Sequence, residues 1–372
     1  MQGARRASTL LIVLLALAAP LAFAPAARAQ RPASSVFTIA NVHVDATAAS
    51  AVAAREAARI EGQRRAFGQL VERLTVAADR TRVPRQSETR LTELVRDLEV
   101  ANEKSSAVRY IADYTFRFRA DEIRRLFADN RIPYAETVSK PVVVVAVLRR
   151  DGGALLWDDP NPWRDAWANL KGATGLVPLA LPLGEAADVS AIGTEDALAA
   201  KPEALAAISQ RYGGGDVLLA LATLAADSGQ LDTVIRRYSG ADATPIAAAS
   251  FRPNPGEDAA ALMARAAAAG DAELEEAWKR QVLVAVGSEA VLTADVPLAS
   301  LADWLFVRNG LAGVPAVKRS DVLELGKRAA RVEIHYSGDP AHLQLLLAQR
   351  DLTLATTGTG WTLQRRGAAP AQ

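Results

Sequence analysis

Seven consecutive apolar residues, Val142 to Leu148, constrain the fold of this chain more than any other feature of its sequence. Such a run fits a strand that is buried on both faces, and strands of this kind occur in sheets that carry helices on both sides. A second apolar run, Leu176 to Leu183, a helical segment from Pro202 to Tyr212 and a strand from Asp216 to Leu224 follow. This alternation predicts a layered α/β sheet at the centre of the chain.

A hairpin extends this central module. The turn Asp227-Ser228-Gly229-Gln230 leads into a return strand from Leu231 to Tyr238, as expected for a short hairpin connection. The Pro-, Ala- and Gly-containing segment from Pro245 to Asp258 predicts an irregular connection, and Ala259 to Arg280 predicts an alanine-rich helix. We therefore place the central module at residues 140–281.

A smaller α+β module is predicted for residues 30–139. It begins with a strand from Val36 to Val44 and continues with a long helix, whose apolar residues recur at three- and four-residue steps. Asp45 or Thr47 has the side chain needed to cap the start of this helix. The other face of the helix bears alternating charges, which form pairs within the helix rather than an anion-binding surface.

Two more helices and a strand complete this module. The apolar residues from Leu91 to Leu98 fall on one helical side, which predicts a short helix after Pro84. From Val108 to Arg119 apolar and polar residues alternate, which predicts a half-buried strand. Asp121 then predicts the N-cap of a helix that ends at Ile132-Pro133.

Residues 282–366 predict a second small α+β module, and residues 367–372 a disordered tail. Strands are expected near Val322 to Leu325 and from Ala330 to Tyr336. Asp339-Pro340 predicts a helix start, because aspartate caps helices and proline is favoured at the first helical position. The predicted fold class is therefore α/β and α+β, with a layered α/β sheet module flanked by smaller α+β modules.

The first 29 residues have the composition of an export signal. Arg5 and Arg6 precede an apolar run from Leu10 to Ala24, and the small-residue site Ala27-Arg28-Ala29 follows, as signal peptidase requires. A retained membrane anchor is the alternative, but the run is shorter than the roughly 20 apolar residues of a spanning helix and contains Pro20. We expect cleavage after Ala29, a periplasmic location and no membrane span in the mature chain.

The composition excludes disulfides and two kinds of binding site. The chain has no cysteine, which excludes disulfides and thiolate zinc sites. Without the three arginines of the leader, Arg5, Arg6 and Arg28, the 43 basic residues become 40, against 42 acidic residues. A mature chain so close to neutrality is not expected to bind nucleic acid, which would require a basic surface.

The sequence also contains no motif for catalysis. Only His43, His335 and His342 are available as an imidazole base, and none has the His-Glu-x-x-His spacing of a zinc site. A Gly-x-Ser-x-Gly nucleophile elbow is missing as well. Gly213 to Gly215 precede a strand and lack the Gly-Lys-Ser/Thr of a phosphate loop. We therefore expect no catalytic residues, no metal and no cofactor.

The densest group of candidate binding residues lies between Trp157 and Trp167. Indole, carboxylate, amide and guanidinium groups there suit a groove that stacks a sugar ring or a peptide side chain. In the structural interpretation, Asn161 caps a helix that starts at Pro162, and Trp163 and Trp167 lie on one buried side. The carboxylates lack the alternating spacing of a calcium loop. The candidate ligand- or partner-binding residues are Trp157, Asp158, Asp159, Asn161, Trp163 and Arg164.

Five segments follow one another in an order that is fairly specific to one family: Glu99 to Ala112, Phe118 to Tyr134, Leu156 to Trp167, Val177 to Leu183 and Arg211-Tyr212-Gly213. In this order they resemble an exported proteobacterial family, the domain of unknown function 2066. The resemblance covers residues 35–238. It implies a bacterial envelope protein and assigns no functional residues.

These observations predict a non-catalytic envelope protein whose modules dock another envelope protein during assembly or maintenance of the envelope. One alternative is a periplasmic hydrolase that uses carboxylates between Trp157 and Asp165. Another is a protein that binds a glycan or a peptide through the same loop without turnover. A closed acidic pocket with two facing carboxylates favours the hydrolase, whereas a flat apolar patch favours docking.

Overall fold

The computed structural model describes residues 36–150, 152–170, 175–227, 229–284, 289–358 and 360–367. The predicted export signal and most of the predicted tail lie outside these residues. The described residues form one compact unit with three sheets, of three, six and five strands. Each sheet falls within one predicted module, and the fold is a multi-module α/β and α+β fold, as expected. The module boundaries themselves stay a prediction.

The N-terminal sheet packs against a long helix. Its elements are β1 (Thr38–Thr47), α1 (Ala51–Leu74), α2 (Glu88–Leu94), β2 (Val95–Ser105), β3 (Arg109–Phe118) and α3 (Ala120–Asp129), with a 3-10 helix over Ala77–Arg82. The strand order is β1-β3-β2, and both pairings are antiparallel. β3 alternates as predicted, and its aromatic residues Tyr110, Tyr114 and Phe116 are buried.

The predicted cap of α1 is wrong. β1 continues through Asp45 to Thr47, which leaves both residues in the strand. Ser50 caps the helix instead, because its hydroxyl accepts a hydrogen bond from the N–H of Ala53 at 3.2 Å.

Two further local predictions for this module are wrong. The helix after Pro84 ends at Leu94, and Leu98 lies in strand β2, where pairing with β3 overrides the helical spacing of the apolar residues. Asp121 is not the N-cap of α3, since that helix begins at Ala120 after Arg119.

The central sheet has helices on both faces. Its elements are β4 (Val142–Arg150), β5 (Gly153–Leu155), α4 (Pro162–Ala168), β6 (Leu179–Ala180), α5 (Ala186–Ala191), α6 (Thr194–Leu198), α7 (Pro202–Arg211), β7 (Val217–Leu224), β8 (Leu231–Ser239), β9 (Asp242–Phe251) and α8 (Ala259–Gln281). The strand order is β5-β4-β7-β8-β9, with β6 beside β4. β4 and β7 are parallel, and Val142 to Leu148 is buried on both faces, as predicted. Alternate β4 residues face α4 and α8 on one side and α5 to α7 on the other.

The segment predicted as an irregular connection after β8 is in part a strand. β9 pairs antiparallel with β8 and forms an edge of the sheet. Pro245 lies within β9, beside a register shift opposite Ile235 and Arg236. Proline is tolerated there because an edge strand does not need every backbone N–H for pairing.

The C-terminal sheet has five strands. Its elements are β10 (Glu289–Pro297), α9 (Leu301–Ala312), β11 (Val317–Leu325), β12 (Ala329–Ser337), α10 (Pro340–Ala348), β13 (Leu352–Thr357) and β14 (Gly360–Arg365). The strand order is β11-β12-β10-β14-β13, and β14 runs parallel to β10. Asp339 caps α10 with Pro340 at its first position, which confirms that prediction.

The two outer modules repeat one fold. In each, a strand, a helix, two antiparallel strands and a further helix follow in the same order, and the third of these strands pairs with the other two. The N-terminal copy adds a 3-10 helix and α2 before β2, and the C-terminal copy adds β13 and β14. Buried residues also correspond at one constant spacing along the chain. The corresponding pairs include Tyr114 and Ile334, Phe116 and Tyr336, Ile123 and Leu343, Phe127 and Leu347, Ile132 and Leu352, and Tyr134 and Leu354.

Local backbone details support this internal repeat. Ser50 and Ser300 cap the first helix of each copy. The N–H of Ala48 donates to the carbonyl of Val108, and the N–H of Leu298 donates to that of Arg328, both at 2.8 Å. We refer to the two copies as the N-terminal repeat and the C-terminal repeat.

The central module lies between the two repeats in the chain, and the flanking segments touch. Tyr134, just before the central module, forms an antiparallel bridge with Val284, just after it. The N–H of Val284 donates to the carbonyl of Tyr134 at 2.8 Å. The chain therefore enters and leaves the central module at one place. Among the helices of the described residues, none combines the length and the apolar character that crossing a bilayer requires.

Candidate functional site

The loop that the sequence marks as a binding site is anchored by Asn161. The Asn161 side-chain oxygen accepts the N–H of Arg164 at 3.1 Å, which caps α4. Its side-chain nitrogen donates to the carbonyls of Leu155 and Leu156 at 3.3 and 3.2 Å. Asn161 is fully buried, and its hydrogen-bonding groups are used within the protein.

Trp163 and Trp167 belong to the core beneath the loop. Both are fully buried, and their rings meet edge to face with centroids 5.7 Å apart. The indole N–H of Trp163 donates to the carbonyl of Ala220 in β7 at 2.9 Å. These contacts follow from their four-residue spacing on α4, which places both rings on one buried side, with Trp163 against the sheet and Trp167 against Gly270 of α8.

The remaining candidates lie at the surface of the loop. Trp157 is half-buried, and its indole N–H donates to the carbonyl of Ile192 at 2.8 Å. Arg164 donates to the carbonyl of Trp157 at 3.0 Å and pairs with Asp159. Asp158 is exposed. The structure thus brings Trp157, Asp159 and Arg164 together and separates them from Trp163, and a binding role for this loop stays a prediction.

We expect Trp157→Ala to lower the free energy of unfolding by about 1–2 kcal/mol, because the ring is half-buried and keeps one hydrogen bond. Urea denaturation of the mature chain measures this loss. Trp157→Phe is the control, since it keeps the packing of an aromatic ring on Gly184 and removes the N–H. A loss above about 3 kcal/mol would indicate a core residue, and one below about 0.5 kcal/mol an unengaged side chain.

The three histidines lie in three different environments. His43 is exposed and contacts Asp113 at 2.8 Å. His342 is half-buried near the start of α10, and burial lowers its pKa. His335, on the uncovered face of the C-terminal sheet, contacts Glu333 at 2.9 Å and lies 3.5 Å from Asp321.

This group on the C-terminal sheet has the ligand types of a metal site. The side-chain atoms of Asp321, Glu333 and His335 lie close enough to share one ion. However, the Arg319 guanidinium donates to His335 at 3.0 Å and pairs with Asp321 at 2.7 Å. The Arg319 guanidinium therefore already occupies part of this cluster and offsets one of its two carboxylates.

A cavity of about 490 Å³ lies between the central module and the C-terminal repeat. Its walls include Gly215, Arg237 and Trp278 from the central module and Gln349 from α10. Asp216 is the only acidic residue among the described residues that line it, and it pairs with Arg237 at 2.6 Å. Glycoside hydrolysis needs two facing carboxylates, and this cavity does not supply them.

An apolar surface patch lies on the C-terminal repeat. We define the β11 patch as Leu301, Leu305, Val322 and Leu325, whose exposed fractions are 71%, 39%, 48% and 58%. Contiguous exposed aliphatic side chains of this kind mark interaction sites more often than isolated ones do.

Strand register places the two β11 residues of the patch, Val322 and Leu325, on one face of the sheet. Val322 pairs with Val332 and Leu325 with Ala330, and both partners are buried on the side of the sheet that carries the helices. Side chains of directly paired residues share one face of a sheet, which puts Val322 and Leu325 on that side as well. Helix α9 contacts β11. It begins at Leu301, shortly after β10 ends at Pro297, and Pro297 lies at the same end of the sheet as Leu325.

The patch borders an open strand edge. β11 is the first strand of its sheet and is hydrogen-bonded to β12 on one side only. Within the described part of the chain, no strand pairs with its other side. An edge that combines unpaired backbone groups with exposed aliphatic side chains favours association, and natural proteins normally protect such edges with charged residues.

The N-terminal repeat has smaller or polar residues at the equivalent positions of this edge, and its own exposed apolar residues there are Val52 and Val100. In α1, Ala51 and Arg55 stand where α9 has Leu301 and Leu305, counted from the capping serines. In β2, polar residues replace the aliphatic residues of β11, counted from the equivalent hairpins. The equivalent pairs are Asn102 and Val322, Glu103 and Leu323, and Ser105 and Leu325. The fold therefore does not require aliphatic residues at this edge.

Sequence reasoning missed the β11 patch, because neither the repeat nor the edge position of β11 can be read from local patterns. Comparisons with protein-family models, with curated proteins and with solved structures gave no match. The resemblance to the domain of unknown function 2066 therefore stays a prediction.

Proposed function

We propose that this protein is an exported, non-catalytic docking protein of the bacterial envelope, and that its partner, another envelope protein, binds the β11 patch. The observation that carries the proposal is the difference between the two repeats. At the end of this strand edge, β2 has Asn102, Glu103 and Ser105 where β11 has the exposed Val322, Leu323 and Leu325. Exposed aliphatic side chains at a strand edge promote non-specific association unless a partner covers them.

The energetics of the patch suit a protein partner. Fully burying a leucine or valine side chain contributes roughly 1.5–3 kcal/mol, and each patch residue, 39% to 71% exposed, can contribute part of this. Four such residues are enough to form the apolar centre of an interface, around which a polar rim is usual. Lys327, Arg328 and Glu324 follow or precede Leu325 and are exposed, which supplies such a rim.

Site-specific photocrosslinking in intact cells tests this proposal. A photoreactive amino acid replaces Leu305 in one variant and Arg55, the equivalent exposed residue of α1, in the matched control. We expect position 305 to give an adduct with another envelope protein and position 55 to give none. The adduct is expected to disappear when Leu301→Lys places a charge in the β11 patch.

Two outcomes count against the proposal. Equal labelling from positions 305 and 55 would show that the patch has no special affinity. An adduct that persists unchanged in Leu301→Lys would show that the aliphatic side chains do not hold the partner.

A further inference from the structure

The cavity between the central module and the C-terminal repeat has the volume of a small-molecule site. It measures about 490 Å³, and ligand sites usually measure about 300–1,000 Å³. We propose that it binds a ligand through a single carboxylate, either a small organic acid or the C-terminal end of a peptide, and that Arg237 holds this carboxylate. None of the four β11 patch residues lines the cavity, and this inference goes beyond the proposed function without depending on it.

The Arg237 guanidinium has hydrogen-bond donors to offer to a ligand. The residue is only 8% exposed, yet its Nε is the only one of its nitrogens with a hydrogen-bond partner among the described residues, Asp216 at 2.6 Å. Buried N–H groups of proteins are nearly always hydrogen-bonded. Arg237 lines the cavity, and its Nη1 and Nη2 atoms are not sealed from solvent. Their donors are therefore available to an acceptor in the cavity.

The surroundings of Arg237 fix the orientation of these donors. Asp216 holds the Nε side of the guanidinium, and the ring of Trp278 lies under the group with its centroid 5.0 Å away. Trp278 is itself buried, and its indole N–H donates to the carbonyl of Thr137 at 2.8 Å. A guanidinium held in this way loses little freedom when a ligand binds. Its Nη1 and Nη2 atoms suit two parallel hydrogen bonds to one carboxylate.

The charges around the cavity favour a ligand with one negative charge. Asp216 offsets the charge of Arg237. Lys140 also lines the cavity, and its charge is offset by Asp351, with which it pairs. Arg366 is a third cation of the wall, is exposed and has no ion-pair partner within the described part of the chain. One uncompensated cation matches a monocarboxylate better than a doubly charged phosphate.

Apolar side chains provide contacts for the rest of the ligand. Leu205 and Val217 of the central module line the cavity, and so does Leu345 of α10. Ligand sites usually combine such an apolar lining with a few polar groups that fix the orientation of the ligand. A ligand held by Arg237 is therefore expected to contact both the central module and the C-terminal repeat.

NMR titration of the mature chain with acetyl-alanyl-alanine and with its C-terminal amide tests the carboxylate directly, because the two probes differ only in that group. We expect the acid to bind and the amide to bind about ten-fold more weakly or worse, since hydrogen bonds to a charged group are stronger than neutral ones. Inorganic phosphate is expected to bind more weakly than the acid. Acetate distinguishes the two sources: equal affinity for acetate and the peptide acid supports a small organic acid, and higher affinity for the peptide acid supports a peptide end.

Two neighbouring alanines of α7 provide variants that leave the charges in place. Ala206 and Ala207 are both exposed, but only Ala206 lines the cavity. We expect the larger side chain of Ala206→Trp to fill part of the cavity and to weaken binding of the peptide acid. Ala207→Trp is the matched control and is expected to bind as the wild type does.

Replacing the arginine tests its role as the anchor. Arg237→Gln is expected to weaken binding of the peptide acid about ten-fold or more, because it removes the charged donors. Arg236→Gln is the control, since Arg236 is the exposed neighbour of Arg237 in β8 and does not line the cavity. Circular dichroism shows whether Arg237→Gln is folded, and if it is not, the pair of α7 variants still tests the site.

Four results would overturn the proposal. The first is that neither the peptide acid nor acetate binds, and the second is that the acid and its amide bind equally well. The third is that inorganic phosphate binds more tightly than the acid. The fourth is that Ala206→Trp, or a folded Arg237→Gln, binds the acid as tightly as its control does.

Discussion

Trp163→Ala is expected to lower the free energy of unfolding by about 3–5 kcal/mol, the usual cost of truncating a buried tryptophan. Trp163 is fully buried, packs edge to face on Trp167 and donates to the carbonyl of Ala220. Truncation leaves a cavity between α4 and the central sheet and removes the indole N–H from a buried carbonyl. Urea denaturation followed by circular dichroism measures the loss.

Asp158→Ala is the control for this prediction. Asp158 is exposed in the same loop, and its removal is expected to cost less than about 0.5 kcal/mol. A loss below about 1 kcal/mol for Trp163→Ala would contradict the core assignment of Trp163. It would also revive the ligand-stacking interpretation of the loop.

Lys279→Met is expected to cost a similar amount, about 3–5 kcal/mol, because it breaks a buried charge network. Lys279 in α8 is buried, and its Nζ donates to the carbonyls of Glu72 and Thr75 at 2.9 Å. Those carbonyls belong to the last turn and the C-cap of α1. Nζ also pairs with Glu276 at 2.5 Å, which opposes the lowering of the Lys279 pKa by burial.

Arg280→Met is the matched control, since Arg280 is the next residue of α8 and is exposed. Its replacement is expected to change the free energy of unfolding by less than about 0.5 kcal/mol. If Lys279→Met and Arg280→Met behave alike in urea denaturation, Lys279 does not hold the end of α1. The contact between the N-terminal repeat and α8 would then depend on apolar packing and on Glu276, which pairs with Arg80 and accepts the N–H of Ala77.

Local chemistry explains which elements could be predicted from the sequence. Asn161-Pro162 and Asp339-Pro340 start α4 and α10 as expected, because a cap depends on residues a few positions apart. The buried run from Val142 to Leu148 is equally clear, since a strand buried on both faces needs no alternation. These features required no knowledge of distant contacts.

Tertiary pairing explains the local predictions that failed. Leu98 has helical spacing with Leu91 and Leu94 but lies opposite Phe116 of β3, and the sheet decides its conformation. Pro245 favoured an irregular segment, yet β9 pairs with β8 and tolerates proline at the edge. Ser50 replaced the predicted caps of α1 because β1 continues through them.

The β11 patch could not be predicted from the sequence for a different reason. Equivalent core positions of the two repeats hold different apolar residues, such as Tyr114 and Ile334, because packing preserves burial more than identity. The repeat becomes visible only when the strands are paired. The exposure of Val322 and Leu325 follows from the edge position of β11, and strand order cannot be read from a local pattern.

The contact between Tyr134 and Val284 affects how the whole chain tolerates change. The chain enters and leaves the central module at one place. Insertions or deletions within that module therefore need not change the distance between the N-terminal and C-terminal repeats. The central module can thus change in evolution while the two repeats keep their fold. A shortened chain that joins residue 134 directly to residue 284 tests whether the two repeats fold without the central module.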